Sequence, residues 1–188
     1  MRIRAFLAIE CSSEIQTRIS KFSKSLPINH KALRWVAPAN IHLTIRFFES
    51  IENTKVHSIK SALEDEISEF PQFSLNFCGV GGFPGLERCR VLWVGIGKGN
   101  EECIRLKNQI DHLLVSSGFP KEHDQFIPHV TIARLKTSQS LDLSSLVTRT
   151  VEDSLMKVEE LILFQSELTS SVPKYTKLAA LSLAKINL

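Results

Sequence analysis

The chain has 188 residues, 43% hydrophobic and 23% charged, with a formal net charge of +3. That is enough for one domain or two small lobes around a real core, in an ordinary globular composition. The mild basicity admits an acidic partner but is too weak for a large duplex-binding surface.

The apolar run at residues 3–9 reads as a strand and stops at Glu10, too soon for a signal peptide or membrane span. Ser12 or Ser13 opens a helix to about Leu26, with Ile15, Ile19, Phe22 and Leu26 on one stripe and Pro27 as its stop. Residues 41–48 form a strand, and 54–68 a second amphipathic helix with Val56, Ile59, Leu63 and Ile67 inward. Strands are expected at 73–78 and 89–97, around a long turn rich in glycine (Gly79, Gly81, Gly82, Gly85). Residues 101–116 are helical and end at Gly118 and Pro120. A strand at 127–135, a short helix at 142–149 and strands at 158–165 and 176–184 complete the chain. No Cys-x-x-Cys pair or zinc-type Cys/His spacing involves Cys11, Cys78, Cys89 or Cys103, so free thiols in a reducing, cytoplasmic compartment are expected.

Shifting the sequence by 87 residues aligns it with itself. Ala5-Phe6-Leu7-Ala8-Ile9 falls on Leu92-Trp93-Val94-Gly95-Ile96, Ile19 on Leu106, and Leu26 on Leu113. His42, Thr44 and Ile45 fall on His129, Thr131 and Ile132, and Phe77 falls on Phe164. Residues 1–188 are therefore expected to form one bilobal domain built from a repeated unit, about 5–96 and 92–183. The helices do not alternate with strands as a doubly wound sheet requires. The expected class is α+β: two pseudo-symmetric lobes, each a mainly antiparallel sheet with helices on its outer face, and an active-site cleft between.

Both copies carry the same short motif, Ile41-His42-Leu43-Thr44-Ile45 and Pro128-His129-Val130-Thr131-Ile132. Strand alternation puts residues 41, 43, 45 and 47 in a core row and His42, Thr44, Arg46 and Phe48 in a wetter one. In the second copy, Val130 and Ile132 face the core, His129 and Thr131 face away, and Arg134 has the phase opposite to His129. One neutral and one charged imidazole make an acid–base pair near neutral pH. Threonine hydroxyls suit the non-bridging oxygens of a phosphate. There are no carboxylates at metal spacing, and Gly79-Val80-Gly81-Gly82 lacks the Lys-Ser/Thr of a phosphate loop. Metal-free attack on a phosphodiester is the expected chemistry, with no cofactor. Trp35, Phe48, Phe83, Phe126 and Tyr175 could stack on a base, although for each taken alone packing at the core or rim is the better reading.

These motifs, with Arg4-Ala5-Phe6-Leu7-Ala8-Ile9, Arg34-Trp35-Val36 and Phe126-Ile127-Pro128-His129-Val130-Thr131-Ile132-Ala133-Arg134, resemble the 2H phosphoesterase superfamily. Within it the chain is most similar to the RNA 2′,3′-cyclic phosphodiesterases, long called 2′-5′ RNA ligases. It departs where the family has Phe-Leu-Gly-Glu and this chain has Phe47-Phe48-Glu49-Ser50, which implies a different turn. The resemblance implies opening of a 2′,3′-cyclic phosphate at an RNA end to a 2′-phosphate. It makes His42 the proton donor and His129 the acceptor, with Thr44 and Thr131 gripping the phosphate. Arg46, Arg134, Phe48, Phe126 and Tyr175 are further substrate-binding candidates. The partners implied are RNA ends or oligonucleotides, with no membrane and no obligatory protein partner. The alternatives are a 2′-5′ RNA ligase, another small cyclic phosphodiesterase of the superfamily, or a non-catalytic RNA- or nucleotide-binding module.

Overall fold

Strand β1 (Arg2–Glu10) is apolar almost throughout because both of its faces are covered. Ala5, Leu7 and Ile9 enter the main core under the helices, whereas Phe6 and Ala8 join a separate cluster with Ile162 and Phe164. The structure, a computed structural model, describes residues 1–87, 89–136, 143–167, 169 and 172–185.

Three helices cover one face of the sheet. In α1 (Ser13–Ser25) the Ser12 hydroxyl caps the first turn by accepting from the Ile15 amide at 3.3 Å, and Ile15 and Ile19 are buried. Helix α2 (Lys55–Ser68) buries Ile59, Leu63 and Ile67. Helix α3 (Asn100–Ser116) buries Cys103, Leu106, Ile110 and Leu114. The i, i+3/i+4 spacing of these residues makes each helix amphipathic and sends its apolar stripe into the same core.

The remaining strands are β2 (Leu33–Trp35), β3 (His42–Glu52), β4 (Phe73–Leu75), β5 (Phe77–Phe83), β6 (Val91–Ile96), β7 (His129–Leu135), β8 (Met156–Val158), β9 (Glu160–Glu167) and β10 (Lys174–Ser182). The main sheet runs β10-β9-β1-β3-β7-β6-β5, with β2 also on β7, and β4 and β8 form a small ladder of their own. All of these pairings are antiparallel. The class is α+β, as expected. The two antiparallel halves form one hydrogen-bonded path, joined where Leu43 of β3 lies opposite Val130 of β7.

Neither half is a contiguous stretch of chain. Counting outward from the join, one side is β3, β1, β9 and the other β7, β6, β5. Strand β5 thus pairs with β6, later in the sequence, while β9 crosses back to β1. The exchange of third strands knits the halves together.

The expected glycine turn is a strand. Gly79, Gly81 and Gly82 lie within β5. A Cβ on Gly81 would come within 2.2 Å of the Trp93 indole, so the glycine makes room for that ring rather than for a reversal. Of the short helix expected at 142–149, residue 142 lies outside the described residues, and the chain makes a single 3-10 turn at Ser144–Leu146.

Candidate active site

The join of the two half-sheets determines where the motifs point. Leu43 and Val130 are opposite each other and fully buried in the helix-side core. Opposed residues of an antiparallel pair share a face, and their sequence neighbours share the other. His42, Thr44, His129 and Thr131, all half-buried, therefore lie together on the face away from the helices. Because the strands run in opposite directions, His42 falls on the side of Thr131 and Thr44 on the side of His129. Leu43 and Val130, which face each other at this centre, are themselves 87 residues apart.

Both imidazoles are anchored alike. His42 Nδ1 lies 2.8 Å from the Asn40 carbonyl oxygen, and His129 Nδ1 lies 2.6 Å from that of Ile127. A carbonyl can only accept, so each Nδ1 carries the hydrogen and each Nε2 is the nitrogen left for chemistry. Each ring also meets an aromatic on the neighbouring strand. His42 stacks on Phe6 at 4.7 Å between centroids and meets Tyr175 edge-on at 5.3 Å. His129 lies 5.7 Å from Trp93 and 5.0 Å from Phe83. Phe6 and Trp93 are again 87 residues apart.

The same packing sets the titration. Burial, aided by a charge on His129, lowers the pKa of His42 to about 4, against the opposing pull of the Asn40 hydrogen bond and Glu10. Burial also lowers that of His129, against the Ile127 hydrogen bond, with Arg134 adding to the fall. The Tyr175 hydroxyl is raised by burial, and Arg134 partly offsets this.

Beyond the threonines the expected alternation fails, in the same way on both strands. Leu7 pairs with Arg46 but Ala8 with Thr44, so Ile45 is an extra residue. Leu92 pairs with Ala133 but Trp93 with Thr131, so Ile132 is an extra residue. These bulges, 87 residues apart, reverse the phase of the residues just beyond them. Arg46 and Phe48, expected on the wet row, are buried among the helices. Arg46 Nη1 pairs with Asp111 and Nη2 donates to the Pro120 carbonyl, while Phe48 packs edge-on to Phe119 at 5.9 Å. Neither faces the histidines.

Arg134 moves the opposite way: expected out of phase, it is exposed on the His129 side, where His129 and Tyr175 both feel its charge. Phe126, a stacking candidate, instead packs on the helix-side core beneath the Lys107 ammonium, 6.0 Å from its ring centre. Trp35 also packs there, its ring 5.1 Å from His30. Tyr175 and Phe83 do flank the histidines. Phe6 and Trp93 were missed as histidine supports because they read as core; their match at the repeat offset was the available signal.

A polar groove of about 700 Å³, lined by Arg18, Lys21, Phe22 and Arg149 among others, lies along α1 and contains none of these residues. The histidine site is defined by converging side chains on an open sheet face.

Two anchored imidazoles and two threonines gather about the centre of one antiparallel sheet, at positions 87 residues apart. The model of the 2′-5′ RNA ligase superfamily matches residues 6–169. An RNA 2′,3′-cyclic phosphodiesterase of Methanothermobacter thermautotrophicus is 31% identical over 94% of this chain and 96% of its own. One from Aquifex aeolicus is 31% identical over 93% and 94%. The crystal structure of E. coli LigT complexed with 3′-AMP superposes with a TM-score of 0.81 at 26% identity, covering 97% of this chain and 99% of that one. The chain belongs to the 2′-5′ RNA ligase superfamily.

Proposed function

We propose that this protein is an RNA 2′,3′-cyclic phosphodiesterase that hydrolyses the cyclic phosphate at an RNA end to a 2′-phosphate. The carrying observation is the pair of Nδ1-anchored imidazoles on one sheet face, about a shared centre and each accompanied by a threonine. In the proposed reaction, His129 Nε2 takes a proton as water attacks phosphorus, and the P–O3′ bond breaks. His42 Nε2–H supplies the proton to the departing 3′ oxygen. Thr44 and Thr131 hold the non-bridging oxygens, and Arg134 adds a positive charge on the His129 side. Burial favours neutral imidazoles, whereas a phosphate anion beside them raises both pKa values. The substrate thus helps to charge the histidine that must give up a proton.

The matched anchors, matched bulges and exchanged strands also support one domain over residues 1–188, grown from a duplicated unit of about 5–96 and 92–183. No helix among the described residues is long and apolar enough to cross a membrane, and all four cysteines are free. Both fit action on RNA ends in the cytoplasm.

The test is incubation with an oligonucleotide ending in a 2′,3′-cyclic phosphate, with EDTA present. Conversion to the 2′-phosphate is expected. Unchanged substrate would contradict the activity, and conversion lost only in EDTA would contradict the metal-free mechanism.

A further inference from the structure

Among the described residues, β3 and β7 pair at one position only, Leu43 opposite Val130, so little backbone holds the two imidazoles at a fixed separation. Strand β2 adds a strap. Leu33, Arg34 and Trp35, which precede the first motif, pair with Leu135, Arg134 and Ala133 on the far end of β7. The Val36 amide then donates to the Ile132 carbonyl at 2.9 Å. The approach to His42 is thus tied across the join to the strand that carries His129.

Shifted by 87 residues, this strap would lay Pro120-Lys121-Glu122 along Arg46-Phe47-Phe48. No strand forms at 120–122, and Pro120 has no N–H to give to a ladder. Side chains connect the same two segments instead. Arg46 Nη2 donates to the Pro120 carbonyl, and the Phe47 amide donates to Glu122 Oε1 at 3.3 Å. Glu122 Oε2 pairs with Lys107 of α3, Lys107 reaches Asp111 at 2.8 Å, and Asp111 pairs with Arg46 Nη1. The circuit is closed and its charges balance, and Arg46 and Lys107 are only 2% and 4% exposed. At the repeat positions of Arg46, Lys107, Asp111 and Glu122 stand Ala133, Ser20, Lys24 and Trp35, so the other half has no such circuit.

Buried ion pairs add little net stability, because desolvation offsets their attraction, but removing one partner leaves the other uncompensated. What the circuit supplies is geometry. The segment it holds runs on through Phe126, whose ring lies beneath Lys107, to the Ile127 carbonyl that accepts from His129 Nδ1. Resting on the activity proposed above, we infer that Arg46, Lys107, Asp111 and Glu122 are positioning residues. Their ionic clamp takes the place of a second β2 and sets His129 against His42 across one phosphate.

The test uses the oligonucleotide ending in a 2′,3′-cyclic phosphate, urea midpoints, and the Nε2 resonances of both histidines. Glu122→Ala should lower kcat about ten- to a hundredfold, as for a displaced catalytic group, with KM within about twofold. It should also move the His129 signal more than that of His42. The charge-balanced pair Lys107→Met with Glu122→Met leaves Arg46 matched to Asp111 and separates positioning from stability. Its urea midpoint should equal or exceed that of the unaltered protein, while kcat stays low and the His129 signal stays displaced. A kcat that recovers with the urea midpoint, or a His129 signal left in place in both variants, would overturn the inference. If the unaltered protein did not open the cyclic phosphate, the activity proposal would fall, and the His129 signal would still decide whether the clamp sets that ring.

Discussion

The His42 and His129 halves of the site share a backbone plan but not an environment. Each histidine gives its Nδ1–H to the carbonyl two residues before it, rests beside an aromatic from the adjacent strand, and is followed by a bulge one residue past its threonine. Around His42 the surroundings are aromatic and closed: Phe6, Tyr175 and Phe164, with Phe47 beyond. Around His129 they are more open, with Arg134 added. The two imidazoles thus have matching backbone settings and unequal side-chain surroundings.

The largest expected effects break both halves. His42→Ala and His129→Ala should each lower kcat for cyclic-phosphate opening by about 10²- to 10⁴-fold, with the circular dichroism spectrum unchanged. Loss of secondary structure in either variant would argue that the histidine is structural. Thr44→Ala and Thr131→Ala should cost less, about ten- to a hundredfold, as for a hydrogen bond to a charged group. Equal costs would keep the threonines symmetric about the phosphate; unequal ones would extend the asymmetry of the histidines to them.

Stability separates the halves through pH. The folded pKa of His42 is about 4, against an ordinary 6.5. As pH falls, the unfolded chain takes up the proton first. The contribution of this group is therefore full above about pH 6.5, is lost between 6.5 and 4, and levels off below. The loss amounts to about 3 kcal/mol, read from urea midpoints across this range. His42→Gln should remove that part of the slope; an unaltered slope would show that His42 is not held neutral. The smallest effect is local. Arg134→Gln should raise the pKa of His129 and leave that of His42 in place, as followed by NMR titration of the ring resonances. Movement of both would mean that Arg134 serves the whole site.

The shared face at the centre of the candidate site was legible in the sequence, because a His and a Thr two residues apart on a strand must share a face whatever surrounds them. The repeat offset then made the two motifs equivalent. Helix positions were legible for a similar reason: Ile15 and Ile19, or Ile59 and Leu63, fix an apolar stripe at helical spacing. The periphery was not legible. A bulge is a property of the pairing between two strands, and nothing in Thr44-Ile45-Arg46 announces that Ile45 has no partner of its own on β1. One unpaired residue was enough to send Arg46 and Phe48 inward and Arg134 outward. Gly81 of β5 misled in the same way, since what it does is leave room for the Trp93 ring of the adjacent strand.

The central claim is that both histidines address one phosphate group. It is tested most directly by titrating the protein with inorganic phosphate while following the Nε2 resonances of His42 and His129 by ¹⁵N NMR, with the other four of the six histidines as internal controls. The account predicts that the two Nε2 signals move together, along curves with a single dissociation constant and one phosphate per chain, and that both imidazole pKa values rise. Movement of one ring alone, or two separate dissociation constants, would contradict it.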